Sequence, residues 1–163
     1  MASSPIQSPT LVSTAEETGP LLRVCSLLNA AGANYLVAGA YAMILNSVIR
    51  ATEDVDILIE DSRENFQKVI NGLANLADGA ARELTPDDLA ENVVVKIADE
   101  VEVDVTRSAW TVTYAEAVKN AQIVVIDNVR IPYLSLEDLI RSKLTHRDQD
   151  RVDVERLGRL KSS

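Results

Sequence analysis

Residues 50–59 read RATEDVDILI, and two aspartates, Asp54 and Asp56, stand two positions apart where the pattern turns apolar. Successive side chains of a β-strand point to opposite faces, so Arg50, Thr52, Asp54 and Asp56 share one face and Ala51, Val55, Ile57 and Ile59 the other. One face is core and the other collects charge. Two carboxylates ~7 Å apart along a strand repel each other, and such a pair persists where solvent or a cation compensates it. A divalent metal does this most economically, because ions such as Mg²⁺ take hard oxygen ligands. A later stretch has the same character. In VEVDV, residues 101–105, the valines alternate with Glu102 and Asp104. Asp104 is a candidate third carboxylate, with a solvent-facing position beside Glu102 as the alternative.

These acids must be held by elements that the chain signals in turn. Apolar repetition from Pro20 to Ala31, stopped by Gly32, predicts a first helix. Asn34–Ala38 predicts a short strand, Gly39 a turn, Ala40–Asn46 a short helix, and then comes the strand with the paired aspartates. Asp61 and Ser62 are good N-caps for a helix through Ala77, in which Gly72 costs about 1 kcal/mol relative to alanine. Pro86 suits the first turn of a short helical stretch around Thr85–Leu89. Residues 92–106 predict two strands joined at Asp99 and Glu100. Tyr114–Asn120 predicts a short helix, and QIVVIDNVRIPYL a hairpin turning at Asp127 and Asn128. Ser135 followed by Asp138 resembles a capping box opening an amphipathic helix, and the chain closes on a charged helix with Val152, Leu157 and Leu160 as its sparse apolar contacts. Helices and strands do not alternate strictly, and hairpins are present. The expected class is therefore α/β (α+β): a mixed β-sheet with helices packed on one face and the carboxylates on the other.

Bulk properties bound the function. The 163 residues suit one domain, expected over 16–163 after a mobile tail over 1–15. Apolar residues make up 47% and charged residues 25%, as in ordinary globular proteins. No apolar run approaches ~18 residues, and the first residues lack the basic and apolar regions of a signal peptide, so a cytoplasmic protein with no membrane contact is expected. The net charge of −9, from 25 acids and 16 bases, argues against a general basic surface for nucleic acid, although a local basic pocket stays open. The single Cys25 lies among leucines and is expected to be a buried, inert thiol.

The stretch LVAGAYAMILNSVIRATEDVDILI carries a more specific signal. It resembles the signature of the DNA polymerase beta-like nucleotidyltransferase superfamily: a hydrophobic residue, Gly, then Gly or Ser, about a dozen residues, and Asp-hydrophobic-Asp/Glu-hydrophobic. Ala38, Gly39 and Ala40 stand at the first part, and Asp54, Val55, Asp56 and Ile57 at the second. Asp104 matches the third family carboxylate, and Lys143, Arg147, Asp150 and Asp153 resemble a tail pattern of small stand-alone bacterial members. The resemblance covers most of residues 34–157 and departs at Ala40, which offers a backbone N–H but no hydroxyl.

This resemblance implies transfer of a nucleoside monophosphate from a nucleoside triphosphate (NTP), with two Mg²⁺ ions, or Mn²⁺, as cofactors held by Asp54, Asp56 and Asp104. It implies phosphate contacts from Gly39, Ala40, Arg50, Thr52 and Lys143. Implied partners are an NTP and an acceptor that is RNA, protein or a small molecule, with a homodimer or a cognate partner protein, as in toxin–antitoxin pairs, also open. Other readings stand beside these. Arg50 could pair with Glu53 or another acid. Asp150 and Asp153, three apart on one helix side, read better as anchors for basic residues than as metal ligands. His146 reads as a solvated helix-boundary residue, and Tyr41 and Trp110 as packing groups. A member of the fold that binds nucleotide or a partner without turnover is the rival function, and a metal-dependent phosphohydrolase a weaker one.

Overall fold

The computed structural model describes residues 15–52, 54–145 and 147–162. Of the expected tail, residues 1–14 lie outside the described residues, as do Glu53 and His146. Ala15 already belongs to a helix.

Six strands form one mixed sheet: β1 (Tyr35–Ala38), β2 (Val55–Ile59), β3 (Val94–Ala98), β4 (Glu102–Thr106), β7 (Gln122–Ile126) and β8 (Val129–Tyr133), in the order β3-β4-β2-β1-β8-β7. Two two-residue strands, β5 (Ser108–Ala109) and β6 (Val112–Thr113), make a separate small hairpin. The β1–β2, β3–β4 and β7–β8 pairs are antiparallel, and β2–β4 and β1–β8 are parallel. The expected mixed α/β (α+β) sheet is therefore the observed one. Its centre is the most apolar part. All four residues of β1 are buried, as are Val55, Ile57, Leu58 and Ile59 of β2. Leu36 and Leu58 lie on the Asp56 side of the pleat, so that side too is covered beyond the row of Asp56. What stays accessible there is one end of the face, where the acids are.

The turns follow local chemistry. Asp127 and Asn128 both adopt positive φ, 50° and 66°, as a two-residue hairpin turn between β7 and β8 demands. The two long helices α1 (Ala15–Ala30) and α3 (Arg63–Leu73) touch each other, and α1 also touches β8 and β2. Gly72 makes this approach possible, since a Cβ there would stand 2.9 Å from the Leu27 carbonyl oxygen. The helix cost of that glycine is thus offset by packing. The Ser62 hydroxyl caps α3 by accepting from Asn65 N–H. The buried Asn65 side chain bonds to both backbone groups of Asn34 and to the Glu60 carbonyl, tying the start of β1 to the end of β2.

The shorter helices are α2 (Gly39–Leu45), α4 (Pro86–Glu91), α5 (Tyr114–Ala117) and α6 (Leu136–Ser142), with α7 (Asp148–Ser162) closing the described chain. α2 lies against β1 and β2, and α6 against α2 and α7. Thr85 and Asp88 make a full capping box on α4, and Ser135 accepts from Asp138 N–H at the start of α6.

Three elements differ from expectation. α1 begins at Ala15, five residues before Pro20, which sits inside the helix. α3 ends at Leu73, short of Ala77: the Asn75 and Leu76 amides tighten to bonds three residues back, to Gly72 and Leu73, and the β3–β4 turn then takes the following amides, Ala77 N–H donating to Glu100 at 2.8 Å and Asp78 and Ala80 N–H to Asp99 at 2.7 and 2.9 Å. The β5–β6 hairpin is an addition, and Trp110 at its tip is half-exposed with φ 58°, while Tyr41 is buried as a packing group should be. Cys25 is fully buried, and burial pushes its thiol up to about 12, so the expectation of an inert thiol holds. Among the described residues no helix is long and apolar enough to cross a membrane.

Candidate active site

Strand register builds the site. Asp56 on β2 is the direct partner of Asp104 on β4, Asp104 is the partner of Lys96 on β3, and Asp56 is the partner of Ala38 on β1. Ala38, Asp56, Asp104 and Lys96 therefore form one row across four strands ~4.8 Å apart, and their side chains meet on one face. Asp54 stands just before β2 on the same face. Two acids far apart in sequence are thus brought together by parallel pairing of β2 and β4.

Burial decides the electrostatics. Asp56 is pushed up to about 7, first by burial, then by the Asp104 charge and a hydrogen bond shared with Asp104, and further by Asp54; Lys143 pulls the other way. The crowding of acids around Asp56 thus favours its protonated form to a higher pH than for an ordinary aspartate. Asp104 also receives Lys96, whose Nζ lies 3.2 Å from both carboxylate oxygens. This raises the Lys96 pKa, chiefly through the Asp104 hydrogen bond. Asp54 is engaged with Glu102: their hydrogen bond, then the Asp54 charge, raises the Glu102 carboxyl. Four carboxyl groups are therefore crowded at one end of the face, and Lys96 sets an ammonium against one of them. Among the described residues no three of these groups already converge as a metal-ligating cluster. The donor set itself is all hard oxygen and fits Mg²⁺ or Mn²⁺, although Asp104 is engaged with Lys96.

Gly39 has a local reason to be glycine. Its φ is +61°, and a Cβ built on it would stand 1.9 Å from Asp56 Oδ2. The carboxylate of Asp56 packs against the bare Cα at the start of α2. Ala40 follows as a half-buried helical residue, and the cap position Ala38 makes no side-chain bond. The Thr52 hydroxyl donates to the Asp54 carbonyl at 3.0 Å, which shapes the entry into β2.

The two basic candidates are held from behind by α7. Lys143 Nζ lies 3.0 Å from Asp153 and 3.6 Å from Asp150, and Arg50 Nε lies 3.4 Å from Asp153. Asp153 is fully buried and also accepts from Gln149 at 2.8 Å. Asp150 accepts from the Thr145 hydroxyl and pairs with Arg147 at 3.8 Å. Arg156 of the same helix donates to the Ile49 carbonyl. Asp150 and Asp153 thus anchor basic residues, as their spacing suggests, and Arg50 finds its acid in Asp153. Lys143 is near enough to Asp56 for its charge to be felt there, but its ammonium is committed to α7.

Lys96 and Glu102 are the residues that sequence reasoning left out of the site. The hairpin closes over Asp99–Val101, one residue longer than the expected turn at Asp99 and Glu100, and so pairs Ala98 with Glu102 and Lys96 with Asp104, where a two-residue turn would have set Lys96 against Val103. The partner of Arg50 had no local signal, because Asp153 lies 103 positions further along the chain and only tertiary packing joins them.

No family model and no curated protein matches the sequence. Among solved structures, the fold is similar to that of a Thermotoga maritima protein provisionally assigned as a nucleotidyltransferase, with a TM-score of 0.56 and 17% identity over 90% of this chain and 91% of that one. The likeness spans nearly the full length of both chains, and the sheet that carries Asp56 and Asp104 belongs to a nucleotidyltransferase-like fold.

Proposed function

We propose that the protein is a Mg²⁺-dependent nucleotidyltransferase that moves a nucleoside monophosphate from an NTP to an acceptor hydroxyl. The observation that carries this reading is the pairing of Asp56 with Asp104 across parallel strands, with Asp54 preceding them on the same face and Gly39 opening a helix against Asp56. The assignment of the Thermotoga maritima neighbour supports it at the level of reaction class.

Nucleotidyl transfer puts negative charge on the attacking oxygen, the α-phosphoryl oxygens and departing pyrophosphate together. Bound Mg²⁺ would supply Lewis-acid stabilisation of that charge, with Asp54 and Asp56 as holders on the nucleotide side and Asp104 joining them on the acceptor side. The residues divide the remaining work. Asp56, whose pKa burial and its acidic neighbours push up to about 7, would hold the cation as a carboxylate. Asp104 is the group to receive the proton of the acceptor hydroxyl, since it lies toward the open edge of the sheet beside β3. Gly39 keeps space for Asp56, and the N–H groups at the start of α2, including that of Ala40, are available to phosphate oxygens. Arg50, Thr52 and Lys143 stand behind the aspartates, Lys143 contributing positive potential that favours ionised Asp56. RNA, protein and small molecules all remain open as acceptors.

Thermal melting tests the nucleotide site. Mg²⁺ with at least one of ATP, GTP, CTP or UTP should raise the melting temperature above that with Mg²⁺ or NTP alone, because ion and triphosphate complete each other's coordination. If no combination stabilises the protein beyond its separate components, the nucleotide site is not there.

A second reading has its own support: both basic candidates are already neutralised by Asp150 and Asp153, and Ala40 lacks a hydroxyl. These features suit a protein that binds nucleotide or a partner without turnover. Stabilisation by Mg²⁺ and NTP with no transfer of label would favour it.

A further inference from the structure

We propose that Lys96 is a displaceable counter-ion of the carboxylate site, occupying Asp104 until a divalent cation takes its place. The inference rests on the metal-holding role given above to Asp104 and deepens it. Three observations lead to it. Lys96 is the register partner of Asp104, so the contact is set by strand pairing rather than by a chance meeting of surface chains. Its Nζ lies symmetrically, 3.2 Å from each carboxylate oxygen, across the edge of Asp104 that a cation would also use. The side chain is 72% exposed on an edge strand, against 20% for Asp104, so the ammonium can leave into water while the carboxylate stays.

The consequence is an exchange of one cation for another. Asp54, Asp56, Glu102 and Asp104 crowd one end of the face, and the first two lie in reach of Glu102 and Asp104 respectively. Without Lys96 that crowding would draw a free divalent ion strongly. With Lys96 on Asp104, an ion must displace an ammonium before it gains its acceptor-side ligand. Lys96 therefore lowers the affinity of the nucleotide-free protein for metal and leaves the site to be completed when triphosphate brings further oxygen ligands.

Mn²⁺ binding, followed by the electron paramagnetic resonance signal of the free ion, tests this without turnover. The proteins are wild type, Lys96→Met, Lys96→Arg, Asp104→Asn and the Lys96→Met/Asp104→Asn double variant, each without nucleotide and with a saturating NTP, and each checked for folding by circular dichroism. Lys96→Met should bind Mn²⁺ roughly threefold to fivefold more tightly without nucleotide, the range an exposed ion pair supports. Lys96→Arg should stay close to wild type, and in the Asp104→Asn background the methionine should bring no gain. Equal or weaker binding by Lys96→Met overturns the proposal. So does an equal gain in the Asp104→Asn background, which would make Lys96 a general surface charge. If wild type holds Mn²⁺ with NTP while Lys96→Met shows no gain, only the role of Lys96 falls. If neither binds Mn²⁺ even with NTP, the metal role of the aspartates falls and takes this inference with it.

Discussion

Asp56 is where fold and function meet most closely. Its carboxyl is pushed up to about 7 by burial and by its acidic neighbours, while in an unfolded chain it titrates near 4. Between those values the native state keeps a proton that the unfolded state gives up, so this group makes stability fall as pH rises from about 4 to 7. Below that window its contribution is intact; above it the penalty is complete. Asn is nearly isosteric, uncharged, and can donate to Asp104 as the protonated acid does. Asp56→Asn should therefore stabilise the metal-free protein at pH 8 by on the order of 1 kcal/mol and have little effect at pH 4, at the bottom of that window. Urea titrations in EDTA at the two pH values check this, and a variant less stable at both would make Asp56 a structural residue. Gly39→Ala is the complementary change. Added Cβ and Asp56 Oδ2 cannot share the space, and φ +61° disfavours alanine, so a loss of about 2 kcal/mol or more is expected in the same titrations. The aspartates were legible because alternation in a strand puts them on one face. The purpose of Gly39 was legible only in part, since a turn glycine can be read from sequence but the carboxylate resting on it cannot.

At the scale of elements, α7 holds the basic side of the site. Asp153 is fully buried, and one carboxylate serves both Lys143 and Arg50. Removing its charge leaves Lys143, only 11% exposed, short of its nearest partner. Breaking a buried pair in this way is costly, so Asp153→Asn should destabilise by about 3 kcal/mol, read from the midpoint of urea unfolding. Asp148→Asn, in an exposed pair on the same helix, should cost less than 1 kcal/mol. Comparable small losses in both would mean that α7 does not depend on this network. Elements with strong local chemistry were legible: the β7–β8 hairpin from Asp127-Asn128, α6 from Ser135 and Asp138, and β2 and β4 from their alternation. The end of α3 was not, because its last turn tightens after Leu73 and carboxylates from the β3–β4 turn, distant in sequence, take the amides from Ala77 on. Nor was β5–β6, whose two-residue strands carry no period to detect.

At the scale of the molecule, an acidic chain of net charge −9 places several of its carboxyl groups at one end of one sheet face, sets a lysine against one of them and, on this account, takes a metal with its triphosphate there. The sheet class was legible from the mixture of hairpins and helices, and the convergence of Asp56 with Asp104 followed once parallel pairing of β2 and β4 was in place. The acceptor was not legible at either level, because the acids fix the chemistry of the phosphate and leave the partner hydroxyl unspecified. The most direct test of transfer is to incubate the protein with each α-³²P-labelled NTP, Mg²⁺ and a cell extract, beside Asp104→Asn, and to follow both label and pyrophosphate. Wild type should move α-phosphate label onto an RNA, protein or small-molecule fraction with release of pyrophosphate, and Asp104→Asn should not. Label that stays in nucleotide, release of inorganic phosphate alone, or equal transfer by Asp104→Asn would contradict the account.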